Sequence, residues 1–224
     1  MEISLNIKLN EKLYIRNPEE SELGKKILNH SILLIHELGF EKFTFKKLAK
    51  EIGTTETGVY RYFENKHRLL IYIVDWYWSW VEYQIIYETK NIIDPNVKLK
   101  KVLKRLSDPV EDDAVTLHIR ENLLYEIVMM EGAKSYLTRH VQEDDKNKLF
   151  QPYKDVCARV ANLILECNPN YKHPRSLAST IIEMAHSHNF YVRNLPSLID
   201  IENFSCDSKI TSFLEDMVFS TIKS

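Results

Sequence analysis

Few residues in this chain of 224 are placed to do chemistry. Glu183 and His186 stand three apart, and His188 follows. Glu-x-x-His on a helix is a metal-ligand spacing, but such sites need a second copy and further carboxylates. One spacing of this kind is weak evidence by itself. These residues therefore read as polar positions at an interface or pocket wall. Glu143, Asp144 and Asp145 read as a solvated turn or helix start. No serine lies in a Gly-x-Ser-x-Gly frame, so no catalytic nucleophile is expected. Cys157, Cys167 and Cys206 are odd in number and far apart, which supports neither a disulfide frame nor a zinc ribbon. The five glycines, at 24, 39, 53, 58 and 132, cannot form a GxGxxG or a GxxxxGK[ST] loop. The sequence predicts no enzyme, no metal and no cofactor.

A different chemistry is available between Phe45 and Tyr62. Thr55, Glu56 and Thr57 are small or polar and open a short helix, and Tyr60 lies one turn on. Gly53 supplies the left-handed conformation that a sharp turn between helices needs. Short helix, tight turn and polar second helix make a helix-turn-helix. In that motif the second helix enters the major groove and its first residues face base edges.

The elements that must position these residues are all helical. A first helix opens at Pro18-Glu19-Glu20, carries Leu23, Ile27, Leu34, Ile35 and Leu38 at helical spacing, and stops at Gly39. Thr44 caps a second, with Leu48, Ala49 and Ile52 inward and Lys46, Lys47 and Lys50 outward. Thr54 and Thr55 offer a cap for a third, running to about Phe63. A long fourth helix starts near Asn65 and ends between Asn91 and Pro95. Prolines then mark boundaries, which predicts helices at about 96–107, 111–131, 144–167, 174–194 and 208–222. Pro152 either kinks the 144–167 helix or marks its true start. Residues 132–143 are ambiguous.

The run Thr44-x-x-x-Leu48-Ala49-x-x-Ile52-Gly53-x-Thr55-x-x-x-Val59-Tyr60-x-Tyr62-Phe63-x-Asn65-Lys66-x-x-Leu69 resembles the DNA-binding segment of the tetracycline-repressor (TetR) family. Val59 to Lys66 is its most specific part, and the likeness covers about residues 21–70. The resemblance implies roles. Lys66 and Thr44 would grip phosphates, the first by its charge and the second at a helix N-terminus. Tyr62 would reach the DNA backbone with its hydroxyl. Lys46, Glu56, Thr57 and Tyr60 would read bases or pack on thymine methyls. Two positions stay open. Glu56 either accepts from cytosine N4 or stabilises its helix N-terminus. Gly58, which costs ~1 kcal/mol against Ala in a helix, either lets DNA approach the backbone or loosens the helix.

The body offers an aromatic stripe. The fourth helix carries all three tryptophans, at 76, 78 and 80, and is apolar over most of its girth. Trp76, Trp80 and Tyr83, faced by Tyr125 and Met129, are the expected lining for a small apolar or aromatic effector. The resemblance makes this helix the link between ligand and reading head. It also makes the 174–194 and 208–222 helices a homodimer surface, with Leu177, Ile181, Ile182, Met184 and Ala185 facing Ile210, Phe213, Leu214, Met217 and Val218.

The predicted fold is all-α. Residues 1–20 form an N-terminal extension, 21–68 a three-helix helix-turn-helix DNA-binding domain, and 69–224 a helical effector-binding and dimerisation domain. The net charge of −2 conceals this division: residues 21–70 carry +3 and residues 71–224 carry −4. The expected function is a ligand-responsive, dimeric DNA-binding regulator, in the repressor sense, on a palindromic operator. The alternatives are a metal-using helical enzyme and a protein-interaction module without DNA binding. No signal peptide and no membrane-spanning stretch is evident, so a cytoplasmic location is expected.

Overall fold

The computed structural model describes residues 7–108, 119–200 and 206–223, the last without the side chains of 206–208. The described residues are helical, without a strand. Their helices are α1 (Glu22–Leu38), α2 (Phe45–Glu51), α3 (Glu56–Tyr60), α4 (Lys66–Thr89), α5 (Pro95–Ser107), α6 (Glu121–Glu131), α7 (Ala133–Tyr136), α8 (Val141–Lys146), α9 (Gln151–Cys167), α10 (Pro174–Asn194) and α11 (Cys206–Lys223). The expected all-α class is what the chain adopts.

Several boundaries differ from the expectation, each for a local reason. Pro18–Glu20 is a separate 3-10 turn capped by Asn17. The first helix proper begins after Ser21, whose hydroxyl accepts from Gly24 N–H at 3.1 Å. Gly24 permits this start, because a Cβ there would lie 2.2 Å from the Pro18 carbonyl oxygen. Gly39 and Gly53 take φ of 76° and 69°, as helix stops with positive φ should. The third helix ends at Tyr60 rather than near Phe63, since Tyr62 and Phe63 turn into the core. The helix expected at 111–131 starts at Glu121, after an extended Arg120; its residues 111–118 lie outside the described part. Pro152 is the second residue of α9, so it marks a start and not a kink. The ambiguous stretch before it holds α7 and α8.

Contacts divide the chain into two compact units. One contains Met1–Trp80 and Val110–Pro152, the other Val81–Pro109 and Tyr153–Ser224. This grouping is by contact, whereas the division at 68/69 read from the sequence is by function. In the first unit Ile27, Leu28, Ile32 and Ile35 of α1 join Phe43, Leu48, Val59 and Phe63 in a buried core. In the second, α5, α10 and α11 pack together around Leu99, Leu103, Ile181, Ile182, Leu214 and Val218. Asn189 Nδ2 donates to the Ser107 carbonyl there, and the Ser107 and Thr211 hydroxyls pair at 2.6 Å. Those bonds satisfy polar groups that would otherwise be costly to bury.

Candidate nucleic-acid interface

Three caps build the reading head. The Thr44 hydroxyl accepts from Lys47 N–H at 3.2 Å and starts α2. The Thr55 hydroxyl accepts from Gly58 N–H at 3.1 Å and starts α3. The Asn65 carboxamide oxygen accepts from Arg68 N–H at 2.9 Å and starts α4. Phe45, Leu48, Ala49 and Val59 are buried beneath the two short helices. The opposite side therefore has to be polar, and it is: Thr44, Lys46, Thr55, Glu56 and Thr57 are exposed. Tyr60 is 45% exposed and braced edge-on against Phe45 at 5.0 Å. Six of the eight residues read as DNA contacts thus lie on the outer surface of α2 and α3. Lys50 and Arg61 are exposed as well. The sequence signal for Arg61 is its charge, one residue beyond the reading helix.

The other two face inward. Tyr62 is only 2% exposed, and its hydroxyl shares a hydrogen bond with Ser21 Oγ at 2.8 Å. Its polar tip is thereby spent on the α1 cap rather than presented to a nucleic acid. The Lys66 ammonium donates to the carbonyls of Phe40, Glu41 and Phe43 at 2.9, 3.2 and 3.3 Å. It also sits 4.6 Å from the Phe40 ring centroid. Lys66 holds the turn between α1 and α2 closed. Gly58 is buried too, and a Cβ there would stand 2.8 Å from Thr54 Oγ1. Its close neighbour is a threonine of the same head.

Polar contacts join this head to the rest of its unit. Glu131, at the end of α6, accepts from Phe40 N–H at 3.0 Å and pairs with Lys134 at 2.7 Å. Lys134 also reaches Glu41, and these two carboxylates raise its pKa, Glu131 foremost. Arg68 pairs with the buried Asp144 of α8 at 2.7 Å. His67 lies 4.0 Å from the same carboxylate, yet burial pushes its pKa down and outweighs that attraction.

The aromatic residues divide between the units. Trp76, Trp80 and Tyr125 are buried and Met129 is half-buried in the first. Tyr77 bridges Trp80 and Tyr125, with centroids 6.2 and 6.4 Å away. Tyr83 does not join them. It is 44% exposed in the second unit and stacks on exposed Tyr87. It keeps the helix face of Trp76, seven residues earlier, yet the described residues leave it largely uncovered. An open cleft of about 480 Å³ in the second unit is lined by Glu82, Ile86, Lys98, Asp155, Arg159 and Glu166, among others. None of the five expected effector residues lines it.

The apolar faces of α10 and α11 also differ from the expectation. Leu177, Ile181, Ile182, Ala185, Ile210, Leu214 and Val218 are buried within the second unit itself. The face left accessible carries Met184, His188, Tyr191, Phe213 and Met217, with His188 stacked on Phe213 at 5.0 Å. Glu183 and His186 do not converge. Glu183 is exposed and accepts from the Tyr153 hydroxyl at 2.8 Å, while His186 is buried and its pKa falls to about 4. Among the described residues no group of three His, Cys, Asp or Glu could hold a metal. Cys157 and Cys167 are free thiols, and burial pushes Cys157 up to about 11. No helix of the described residues is long and apolar enough to cross a membrane.

Residues 27–73 match the family described as bacterial regulatory proteins, tetR family. The reading head is a tetR-family domain. No curated protein is similar to the chain in sequence. Solved structures are. A bacterial regulatory protein of the tetR family from Rhodococcus RHA1 is 13% identical with a TM-score of 0.63, over 90% of this chain and 97% of that one. AibR in complex with isovaleryl coenzyme A and operator DNA is 17% identical with a TM-score of 0.60, over 87% and 98%. The transcriptional regulator FadR from Bacillus subtilis, in complex with stearoyl-CoA, is 15% identical with a TM-score of 0.59, over 88% and 97%. The chain therefore has the fold of tetR-family regulators along nearly its whole length.

Proposed function

We propose that this protein is a ligand-responsive transcription regulator that binds a palindromic operator as a homodimer and acts as a repressor. The exposed polar start of α3, flanked by the outward lysines of α2 and backed by a closed core, carries the reading. Lys46, Thr55, Glu56, Thr57 and Tyr60 face the bases, and Thr44 faces the phosphates beside them. Residues 21–68 are the DNA-binding domain, residues 69–224 the effector and dimerisation domain, and the protein works in the cytoplasm, where its DNA is. The dimer forms through the accessible face of α10 and α11, since their other faces are already used. A two-fold places the heads on half-sites ~34–36 Å apart or a multiple of that.

Selection of bound sequences from a random DNA pool tests the reading. Enrichment of a two-fold symmetric site with a steep salt dependence supports it. Failure to enrich any sequence at low salt overturns it. The effector is a small molecule with an apolar or aromatic body, on the strength of the buried Trp76, Trp80 and Tyr125 and the ligand complexes among the similar structures. A ligand releases DNA only if it binds the two conformations of the regulator unequally.

A further inference from the structure

Arg68, Asp75 and Glu82 recur at intervals of seven along α4, so they share one face of the helix. Two of the three are matched. Arg68 is paired with Asp144 at 2.7 Å, and Glu82 receives Arg159 at 2.6 Å. Asp75, between them, is not. It is 1% exposed, and its Oδ2 is buried with no hydrogen-bond partner among the described residues. Its helical neighbours three and four positions away are Ile71, Tyr72, Trp78 and Ser79, of which only Ser79 is not fully buried. Burial alone holds its pKa well above the usual carboxylate range, with no nearby cation opposing the rise.

A buried acid without a partner is among the costlier features a core can hold, and an apolar residue of similar size is commonly more stable there. Buried groups left unsatisfied concentrate at working sites. The residues on either side decide what completes this one. Tyr72 and Trp78 present aromatic rings on the same stretch of helix, and the only cation in this face, Arg68, is already engaged. Aromatic rings beside a carboxylate in a dry interior favour a cationic guest over an anionic or purely apolar one.

We propose that Asp75 is the ionic anchor of the effector site and that the effector carries a protonated nitrogen on its apolar or aromatic body. The inference rests on the reading of the protein as ligand-responsive. It adds a charge requirement, and it adds the Asp75–Tyr72–Trp78 face of α4 to the residues that recognise the ligand. When an ammonium group binds, the carboxyl ionises to meet it and its proton leaves to solvent.

The test uses the full chain and matched probe pairs: benzylamine with benzyl alcohol, tryptamine with tryptophol, hexylamine with hexanol. Affinities are read by tryptophan fluorescence and calorimetry. Each bound ammonium probe should bind about tenfold or more tighter than its alcohol, as charged hydrogen bonds allow. Asp75→Asn should erase that preference while keeping the affinity for the alcohol. Asp75→Ser serves if the first variant does not fold. Calorimetry of the wild-type protein in buffers of different ionisation enthalpy needs no variant and should show about one proton released per amine. Equal affinity for amines and alcohols overturns the inference and leaves the effector reading intact. So does an amine preference that survives both substitutions, or amine binding without proton release. Binding of no probe from either series overturns the effector reading and this inference with it.

Discussion

Replacing Lys66 by alanine separates two roles for the same ammonium group. In the structure it donates to three carbonyls of the α1–α2 turn and stands over the Phe40 ring. A hydrogen bond from a charged group contributes about 1.5–3 kcal/mol, and a cation over a ring at an exposed site about 0.5–1 kcal/mol. Lys66 is half-buried, so water replaces part of what is lost. A net destabilisation of about 2 kcal/mol follows, which at this chain length lowers the melting midpoint by about 4–8 °C. Thermal unfolding followed by circular dichroism measures it. Lys66→Met, which keeps the stem but no donor, should recover less than half of the loss. DNA binding supplies the second readout. A lysine on a phosphate contributes about one unit to the slope of affinity against salt. An ammonium engaged on carbonyls contributes none, so the slope should be unchanged at temperatures where both proteins are folded. A midpoint within about 1 °C of wild type, or a slope reduced by about one, refutes the structural role.

Three further outcomes follow from named contacts. Gly58→Ala gains helix propensity of about 1 kcal/mol but brings a Cβ to 2.8 Å from Thr54 Oγ1. The double variant with Thr54→Ala should therefore be more stable than the sum of the single effects, measured by a thermal-unfolding cycle. Asp75 has a folded pKa raised above its unfolded value, so the folded protein holds the extra proton and stability falls as pH rises from about 4 through that raised value. Asp75→Asn should remove that part of the decline, and a parallel pH profile for the two proteins contradicts it. Phe213→Glu places a charge in the accessible face of α10 and α11 without touching the buried side of either helix. It should yield folded monomers with weakened DNA binding by light scattering and binding assays, and a persistent dimer contradicts the assigned face.

The helices were legible in the sequence wherever a cap, a glycine stop or a proline marked them. Thr44, Gly39, Gly53 and Pro174 stand at the ends of α1, α2 and α10, as their residue types predict. Boundaries set by tertiary contact were less legible. Pro18 suits a first helical turn, yet its backbone lies against Gly24 and the helix begins after it. The α10 and α11 positions were correctly apolar, but periodicity cannot say whether an apolar face meets its own unit or a partner. Leu177 and Leu214 meet their own unit. The same limit applied to Tyr83. It shares the helix of Trp76 and Trp80, but only the structure shows that it stays 44% exposed.

Recognisability and function separate most clearly in the string from Val59 to Lys66. It is the part of the chain that most specifically suggests the tetR family, and almost all of it holds the head together. Val59 and Phe63 are core, Tyr62 meets Ser21, Asn65 caps α4, and Lys66 closes the α1–α2 turn. Each of these tasks needs one side chain of fixed size, polarity and reach, which leaves a recognisable pattern. The surface proposed to meet DNA is under a different constraint. On the proposed function Lys46, Glu56 and Thr57 would have to complement one operator, so their identities would carry that operator's chemistry rather than the family's geometry. A substitution within the string should therefore act first on stability, and one at Lys46, Glu56 or Thr57 first on which DNA is bound. Thr57→Ala illustrates the second kind. The Thr57 side chain is exposed and caps nothing, so the melting midpoint should stay within about 1–2 °C of wild type. The selected DNA sequence should change at one position in each half-site. An unchanged site with a lowered midpoint would place Thr57 with the residues that hold the head together and remove it from the reading surface.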